Sequence, residues 1–179
     1  ATELDFVIVA TVTMEMTCPS VACRIAGAIG ATNAAAFDLG AACSGFVYAL
    51  NTAEAMIRAG RARTIAVLGA EAMSSIIDYT DRSVSILFGD AAGCAIIQAV
   101  PDSTKGCIYQ HMGADGSGWH ALYIPRRQSD VPAEDADNPI RLGSLRMNGK
   151  EVFRFAVTKF KEVIEDAFKK TNLTPADVS

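Results

Sequence analysis

The sequence lacks an apolar run long enough to cross a membrane and an excess of positive charge, and its first residues do not predict secretion. Its apolar stretches, such as "FVIVA" and "TIAVLG", fall far short of the roughly 20 residues that span a bilayer. The formal net charge is −4, whereas a nucleic-acid-binding domain is normally basic. No basic segment with an apolar stretch and a cleavage site opens the chain, so nothing predicts secretion. We therefore expect a globular protein that binds neither nucleic acid nor membrane.

The cysteines do not form the pattern of a disulfide framework or a zinc site. Five cysteines, an odd number, are scattered over positions 18, 23, 43, 94 and 107. Cys18 and Cys23 have no matching Cys or His pair at the spacing of zinc ligands. Because free thiols are typical of a reducing compartment, we expect a cytoplasmic protein without a bound metal.

Loops that bind phosphates or dinucleotides are also missing from the sequence. No G-x-G-x-x-G follows an expected strand, and Phe46 and Val47 stand where a phosphate loop carries Lys and Ser or Thr. His111 and His120 are the only histidines. Either could act as a base for a nucleophile, but a strand residue and a loop residue are the simpler interpretations.

What the sequence does contain is a regular alternation of apolar strands and amphipathic helices. Half of its 179 residues are hydrophobic, enough for one substantial core. Continuous apolar strands between helices indicate a sheet that is buried on both faces, as in α/β folds. The patterns predict strands at 4–11, 35–39, 63–69, 92–99 and 107–112, and helices at about 20–30, 43–59 and 149–171.

The last residues resemble the start of a further helix. Thr174 is placed as an N-cap, Pro175 as the first helical position and Asp177 as part of a capping box. The chain also lacks an initiator Met. We therefore expect a piece of a longer polypeptide. Residues 123–142, rich in Pro and mixed charge, are interpreted as a surface loop.

The segment "FDLGAACSGFVYAL", residues 37–50, is the strongest candidate for chemistry. It has the form of a nucleophile elbow in which Cys43 takes the place of Ser between a strand and a helix. A helix N-terminus stabilises a thiolate, and the small neighbours Ala42 and Gly45 permit a tight turn. The alternative is that Cys43 is a small buried hydrophobic residue. The residues alone leave both interpretations open.

Five motifs in order and spacing resemble the β-ketoacyl-acyl carrier protein synthase III family of the thiolase superfamily. They are "VATVT…CPSVAC", "FDLGAACSGFVYAL", "DYTDRSVSILFGDAAGCAII", "GADGSG" and "MNGKEVFRFAV". The resemblance implies an α/β fold, the layered αβαβα thiolase sandwich with mixed five-stranded sheets, only partly covered by this chain. About 1–100 would form most of the N-terminal half, and about 101–179 would begin the C-terminal half.

The resemblance also implies an activity and its partners. A homodimeric acyltransferase would move an acyl group from acyl-CoA to Cys43 and join it to malonyl-acyl carrier protein, initiating type II fatty acid synthesis. Coenzyme A enters as a thioester substrate, and no cofactor is implied. Arg82 matches the residue that packs on the adenine of coenzyme A, and Arg154 matches a residue that docks the carrier protein. Matches to the acyl and pantetheine channel are Met73, Phe88, Leu145, Met147 and Phe153.

The sequence departs from the family pattern at several points. The His and Asn that drive decarboxylation lie in "PHQAN" and "GNTSAA" motifs, and neither occurs in these 179 residues. We therefore expect this chain alone to be inactive. Cys18 stands where the family commonly has a large aromatic residue that closes the acyl pocket, and Ala91 replaces a usual Gly.

Three other functions stay open at this point. A thiolase-superfamily acyltransferase of secondary metabolism would share the Cys43 corner. A non-catalytic partner subunit would explain the missing His and Asn. A plain α/β domain would use Cys43 only for packing.

Overall fold

The computed structural model describes residues 1–101, 106–137 and 141–178. The chain divides into two compact units. Unit 1 comprises Ala1–Ser75 with Gly89–Lys105, and unit 2 comprises Ile76–Phe88 with Gly106–Ser179. Each unit is described by itself below.

Unit 1 is built around one mixed sheet with helices on its two faces. Strand β1 is parallel to both of its neighbours, and the last strand is antiparallel, in the order β2-β1-β3-β4. The mixed sheet agrees with the predicted fold class. The described residues contribute four strands to this sheet. The elements in chain order are β1 (Phe6–Ala10), α1 (Val21–Ala28), β2 (Ala35–Leu39), α2 (Gly45–Arg58), β3 (Thr64–Glu71) and β4 (Ala91–Gln98).

The core of unit 1 lies on both faces of β1. Val7 and Val9 pack in the cluster that includes residues of α1, and Ile8 packs in the cluster that includes residues of α2. All three side chains are fully buried, which contributes about 1.5–3 kcal/mol each. This two-sided burial explains why the strand reads as an uninterrupted apolar run. The helix predicted at about 43–59 is confirmed, and its apolar face packs on the sheet: Ala53 lies in the second cluster, and Phe46, Leu50 and Ile57 pack against that cluster.

The N-terminus of α1 is fixed by two side chains. Ser20, its N-cap, accepts a hydrogen bond from the Cys23 N–H over 3.1 Å. The Asp38 carboxylate on β2 accepts hydrogen bonds from the N–H groups of Val21 and Ala22 over 2.9 and 2.8 Å. These bonds satisfy donors that a helix start otherwise leaves unpaired, and they tie α1 to the neighbouring strand.

Unit 2 contains the short helix α3 (Arg82–Ser85), the antiparallel pair β5 (Leu122–Tyr123) and β6 (Arg146–Met147), and the long helix α4 (Gly149–Thr171). Helix α4 starts after the N-cap Asn148 and stops at Asn172, whose φ of 56° is left-handed. Its bounds agree with the helix predicted at about 149–171. The apolar stripe of α4 is exposed in the described structure, with Phe153 and Phe160 at 71% and 70% exposure. The capping box at Thr174 is also confirmed, since a 3-10 turn follows it.

The prediction of a strand at 107–112 is wrong. The described residues 106–112 form no strand, and the Tyr109 hydroxyl instead donates to the Asp166 carboxylate of α4 over 2.6 Å. A segment with strand-like composition forms a strand only where a neighbouring strand satisfies its backbone groups. The predicted surface loop at 123–142 begins within β5, and both Pro125 and Pro132 are buried; residues 138–140 lie outside the described residues. No described helix has the length and apolarity needed to cross a membrane.

Candidate active site

Cys43 lies in a tight turn between β2 and α2. A 3-10 turn, Ala42–Ser44, leads directly into the first residue of α2. Ala42 has a φ of +45°, a left-handed conformation that is costly for a residue with a Cβ. The Cys43 side chain is exposed. The structure therefore confirms the predicted strand-to-helix corner and contradicts the alternative of a buried packing cysteine in the described chain.

Gly45 allows α2 to start in contact with the sheet. A Cβ at this position would lie 3.0 Å from the Ala10 Cβ and 4.0 Å from the Leu39 carbonyl oxygen. The ends of β1 and β2 therefore meet the first turn of α2. This contact fixes the Cys43 corner on the carboxyl edge of the sheet.

The first turn of α2 supplies backbone donors beside the thiol. Ser44, the N-cap residue, makes no capping hydrogen bond with its side chain in the described structure. The first N–H groups of a helix have no partner within the helix, and the helix dipole favours negative charge there. The positive end of this dipole lies beside Cys43 and would stabilise an oxyanion formed on a substrate carbonyl.

Two further candidate residues lie beyond the same edge of the sheet. Strands β1, β2 and β3 are parallel, so their carboxyl ends meet there. Met73 follows β3 in a 3-10 turn and is half-buried, and Cys18 follows β1 and is exposed, before a cis Pro19. Ligand sites of α/β sheets form at the carboxyl ends of strands. The structure thus places Cys18, Cys43 and Met73 beyond one edge.

A carboxylate that no sequence motif indicated lies at this edge. Glu71 ends β3, and its Oε1 accepts the Val12 N–H over 2.9 Å. Its Oε2 accepts the hydroxyls of Thr11, over 3.4 Å, and of Thr13. The Thr13 Oγ1 in turn accepts the Ala72 N–H over 2.8 Å. The only sequence signal for this cluster is an acidic residue at the end of an apolar strand.

The turn after β3 is held by a second carboxylate. Asp90 accepts the backbone N–H and the hydroxyl of Ser74, both over 2.7 Å. These bonds, the N–H first, lower the pKa of Asp90 below its usual range. They fix the residue that directly follows Met73.

In unit 2, Arg82 is the exposed first residue of α3. The preceding Asp81 caps this helix by accepting the Ser83 hydroxyl over 2.7 Å and the Ser83 N–H over 2.9 Å. The Ser83 hydroxyl is the main reason why the pKa of Asp81 is lowered. Arg146 of β6 lies 3.4 Å from the Asp81 carboxylate, so Arg82 begins a helix that is tied to β6.

The other candidate residues of unit 2 lie near β6 and α4. Leu145 is buried, and its N–H donates to the Ile76 carbonyl over 2.8 Å. Met147 is half-buried in β6, and Phe88 is half-buried after α3. Phe153 and Arg154 are exposed in α4. The nine predicted residues thus divide into three in unit 1 and six in unit 2.

A polar cavity of about 420 Å³ opens in unit 2 beside Met147. Its lining includes Asp81, Glu134, Asp135 and Glu151. These carboxylates disfavour the phosphates of a nucleotide inside the cavity, because like charges repel.

Tyr123 also lines this cavity, and its hydroxyl donates to Asp135 over 2.6 Å. Burial and this bond raise the pKa of Tyr123 to about 12. The two histidines also have acidic neighbours in unit 2. The Nε2 of His120 lies 3.5 Å from Glu151 Oε1. His111 has Asp166 as an electrostatic neighbour, and the pKa of Asp166 is lowered first by the Tyr109 hydroxyl and then by Lys170.

Comparison with known proteins places this geometry in a family. Residues 37–116, which include Cys43, match the family described as 3-oxoacyl-[acyl-carrier-protein (ACP)] synthase III. A relative from Caldanaerobacter subterraneus, named beta-ketoacyl-[acyl-carrier-protein] synthase III, is 42% identical over 98% of this chain and 53% of its own.

Solved structures agree with the sequence relatives. The 3-oxoacyl-[acyl-carrier-protein] synthase III of Aquifex aeolicus superimposes with a TM-score of 0.85 at 36% identity, over 98% of this chain and 52% of that chain. A priming β-ketosynthase of a polyketide biosynthetic pathway gives 0.79 at 34% identity, over 97% and 50%. The chain spans about half the length of the curated relatives it matches. It has their thiolase-type α/β fold and belongs to the β-ketoacyl-acyl carrier protein synthase III family.

Proposed function

We propose that the protein containing this chain is a condensing acyltransferase with Cys43 as its nucleophile. It takes an acyl group from acyl-CoA and joins it to malonyl-acyl carrier protein, which initiates type II fatty acid synthesis. The observation that carries the proposal is the exposed Cys43 in a strained turn at the start of α2. Family membership supplies the reaction class.

The first half-reaction uses groups of unit 1. The Cys43 thiolate attacks the carbonyl carbon of the thioester, and a new carbon–sulfur bond forms. The bond to the coenzyme A sulfur breaks, and coenzyme A leaves as a thiol after it gains a proton. Two backbone N–H groups, one of them that of Cys43, would donate to the oxyanion of the tetrahedral intermediate.

The second half-reaction needs residues that the family carries in motifs absent from these 179 residues. Malonyl-carrier protein loses carbon dioxide, and the resulting enolate carbon attacks the acyl carbonyl on Cys43. The carbon–sulfur bond to Cys43 breaks and regenerates the thiolate. Because the decarboxylating His and Asn are not in this sequence, the 179 residues alone should not complete the cycle.

The substrate contacts proposed for the remaining residues follow from their family positions. Arg82 packs on the adenine of coenzyme A, and Arg154 docks the acidic carrier protein. The acyl and pantetheine channel is lined by Cys18, Met73, Phe88, Leu145, Met147 and Phe153. The exposure of Arg82 and Arg154 supports contacts with large partners, and the half-buried state of Met73, Met147 and Phe88 supports a channel lining.

The proposal includes the setting in which the enzyme works. It acts as a homodimer in the cytoplasm, without a metal or redox cofactor, nucleic acid or membrane. Residues 1–100 would form most of the N-terminal half of the fold, and residues 101–179 would begin the C-terminal half. The acidic balance of the chain, with a net charge of −4, supports a partner other than nucleic acid.

The test is formation of the condensation product by the full-length protein. Acetyl-CoA and malonyl-carrier protein should give acetoacetyl-carrier protein, which mass spectrometry separates from the malonyl-carrier substrate because the product has lost carbon dioxide and gained an acetyl group. Cys43→Ala should form none. Product formation by Cys43→Ala at the wild-type rate would contradict the proposal.

A second function is favoured by the likeness to the priming β-ketosynthase. In that case the same Cys43 chemistry would start a polyketide instead of a fatty acid. Parallel assays with carrier proteins of the two pathways separate the functions, because only the physiological carrier should support rapid condensation.

A further inference from the structure

One carboxylate ties the chain that leaves β1 to the end of β3. Glu71 accepts hydrogen bonds from three consecutive residues, Thr11, Val12 and Thr13. Thr13 also accepts the Ala72 N–H, so the connection runs in both directions between the strands. Side-chain bonds to charged groups are among the stronger hydrogen bonds in proteins. The course of the chain after β1 is therefore set by Glu71.

The polypeptide that follows β1 leaves the sheet beside the Cys43 corner. The Thr11 N–H donates to the Leu39 carbonyl over 3.2 Å, at the end of β2. Cys43 follows Leu39 by four residues, and Gly45 contacts Ala10, the residue before Thr11. The Glu71 bonds are therefore directly adjacent to the elements that hold Cys43.

We call Val12–Pro19 the β1–α1 segment. Glu71 holds its start, and Ser20 and Asp38 hold α1 directly after it. An ion pair between Glu15 and Arg24 joins the middle of the segment to α1. The side chains of Met14 and Met16, at 37% and 43% exposure, project from this anchored segment.

We propose that Glu71 is a positioning residue for the Cys43 site. It fixes the β1–α1 segment as a wall beside the Cys43 corner, and so sets both the rate of Cys43 acylation and the acyl length that is accepted. The inference rests on the proposed acyl transfer to Cys43. Glu71 acts through the segment and not on the substrate.

The hydrogen-bond pattern provides a conservative variant. In Glu71→Gln the amide oxygen can still accept the Val12 N–H, and the amide nitrogen can donate to the threonine hydroxyls, which rotate to accept. Glu71→Ala instead leaves the Val12 N–H and two hydroxyls without this partner. Glu71→Gln should therefore keep the rate of Cys43 acylation and the primer ranking that Glu71→Ala changes.

The structure also offers a matched control at the opposite edge of the sheet. Asp5 accepts the N–H groups of Arg63 and Thr64 over 2.7 and 2.9 Å, which joins the starts of β1 and β3. It thus resembles Glu71 in chemistry, but its partner Thr64 lies seven residues before Glu71 on β3, about 23 Å away. Asp5→Ala should lower stability without moving the β1–α1 segment.

The experiment measures Cys43 acylation by a series of acyl-CoA primers with the full-length protein. Glu71→Ala should slow acylation by about tenfold or more and change the ranking of primer lengths, because small displacements at a reacting group have large effects on rate. Asp5→Ala and Glu71→Gln should stay within about threefold and keep the wild-type ranking. Equal effects of Glu71→Ala and Asp5→Ala would overturn the inference.

A second pair of variants keeps the test decisive if Glu71→Ala fails to fold. Thr13→Val keeps the shape of the side chain but removes the hydroxyl between Glu71 and Ala72, whereas Thr13→Ser keeps it. Thr13→Val should alter the primer ranking and Thr13→Ser should not. An unchanged ranking in Thr13→Val would overturn the inference. A wild-type protein that acquires no acyl group on Cys43 would instead refute the proposed function itself.

Discussion

Replacing Gly45 with alanine tests whether close contact between α2 and the sheet positions Cys43. The added Cβ would lie 3.0 Å from the Ala10 Cβ, closer than the 3.4–4 Å of ordinary contact. Ala10 has no rotamer to change, and it is 5% exposed in the core. The backbone of α2 or β1 must therefore shift.

The expected cost follows from two opposing effects. Overpacking of a well-packed site costs about 1–3 kcal/mol. Alanine gains up to about 1 kcal/mol over glycine from its helix propensity, and Gly45 already has a helical φ of −55°. We expect a net loss of about 1–2 kcal/mol in the free energy of unfolding, together with slower acylation of Cys43.

Gly27 provides the matched control within α1. No heavy atom lies within 4 Å of the position that its Cβ would take, so Gly27→Ala should gain about 0.5–1 kcal/mol. Urea unfolding of both variants gives the two free energies, and acylation by acetyl-CoA gives the rates. A Gly45→Ala protein that is as stable and as fast as Gly27→Ala would refute the packing argument.

Three further predictions concern charge and pocket size. Hydrogen bonds from the N–H group of Arg63 and, second, from that of Thr64 lower the pKa of Asp5. The contribution of the Asp5 carboxylate to stability is therefore present above pH about 4 and is lost as pH falls through its folded-state pKa. Asp5→Asn should flatten the acid limb of the stability–pH curve, and an unchanged slope would contradict this. Charge reversal by Arg154→Glu should weaken use of malonyl-carrier protein far more than acylation by acyl-CoA, and an equal fall in both half-reactions would indicate a structural role. Cys18 is smaller than the aromatic residue common in the family, so the wild type should favour primers longer than acetyl by about 0.8 kcal/mol, or fourfold, per buried methylene. Cys18→Phe should remove this preference. A primer profile that peaks at acetyl in both proteins would contradict the prediction.

Much of the fold could be predicted because its signals are local. The apolar run of β1 reflects burial on both faces, and the stripe of α2 reflects packing on one face. Caps at Ser20, Asn148 and Thr174 mark helix starts with side chains that bond to nearby N–H groups. The Cys43 corner is also local, since the strand, the small residues and the helix are contiguous in sequence.

The parts that escaped prediction depend on partners distant in sequence. Glu71 bonds to Thr13, 58 residues away, and such a contact requires the register between β1 and β3. Strands β5 and β6 have two residues each, too few for a periodic pattern. The composition of residues 107–112 predicts a strand, but Tyr109 bonds to Asp166 of α4 instead. Helix α4 forms as predicted, yet the exposure of its apolar face could not be inferred from periodicity.

The rate of labelling by iodoacetamide should distinguish Cys43 from the other four cysteines. All five are exposed, so exposure alone would predict equal labelling by iodoacetamide. Cys43 differs from the other four because it lies in the tight turn between β2 and α2, and we expect iodoacetamide to label it first.

The most direct test of the central claim is the intact mass of the full-length protein after incubation with acyl-CoA alone. Without malonyl-carrier protein the acyl group should remain on the enzyme as one covalent adduct, and peptide mapping should locate it on Cys43. Cys43→Ala should gain no mass, whereas Cys23→Ala should match the wild type. A wild-type protein without an adduct, or an adduct located on another cysteine, would contradict the account.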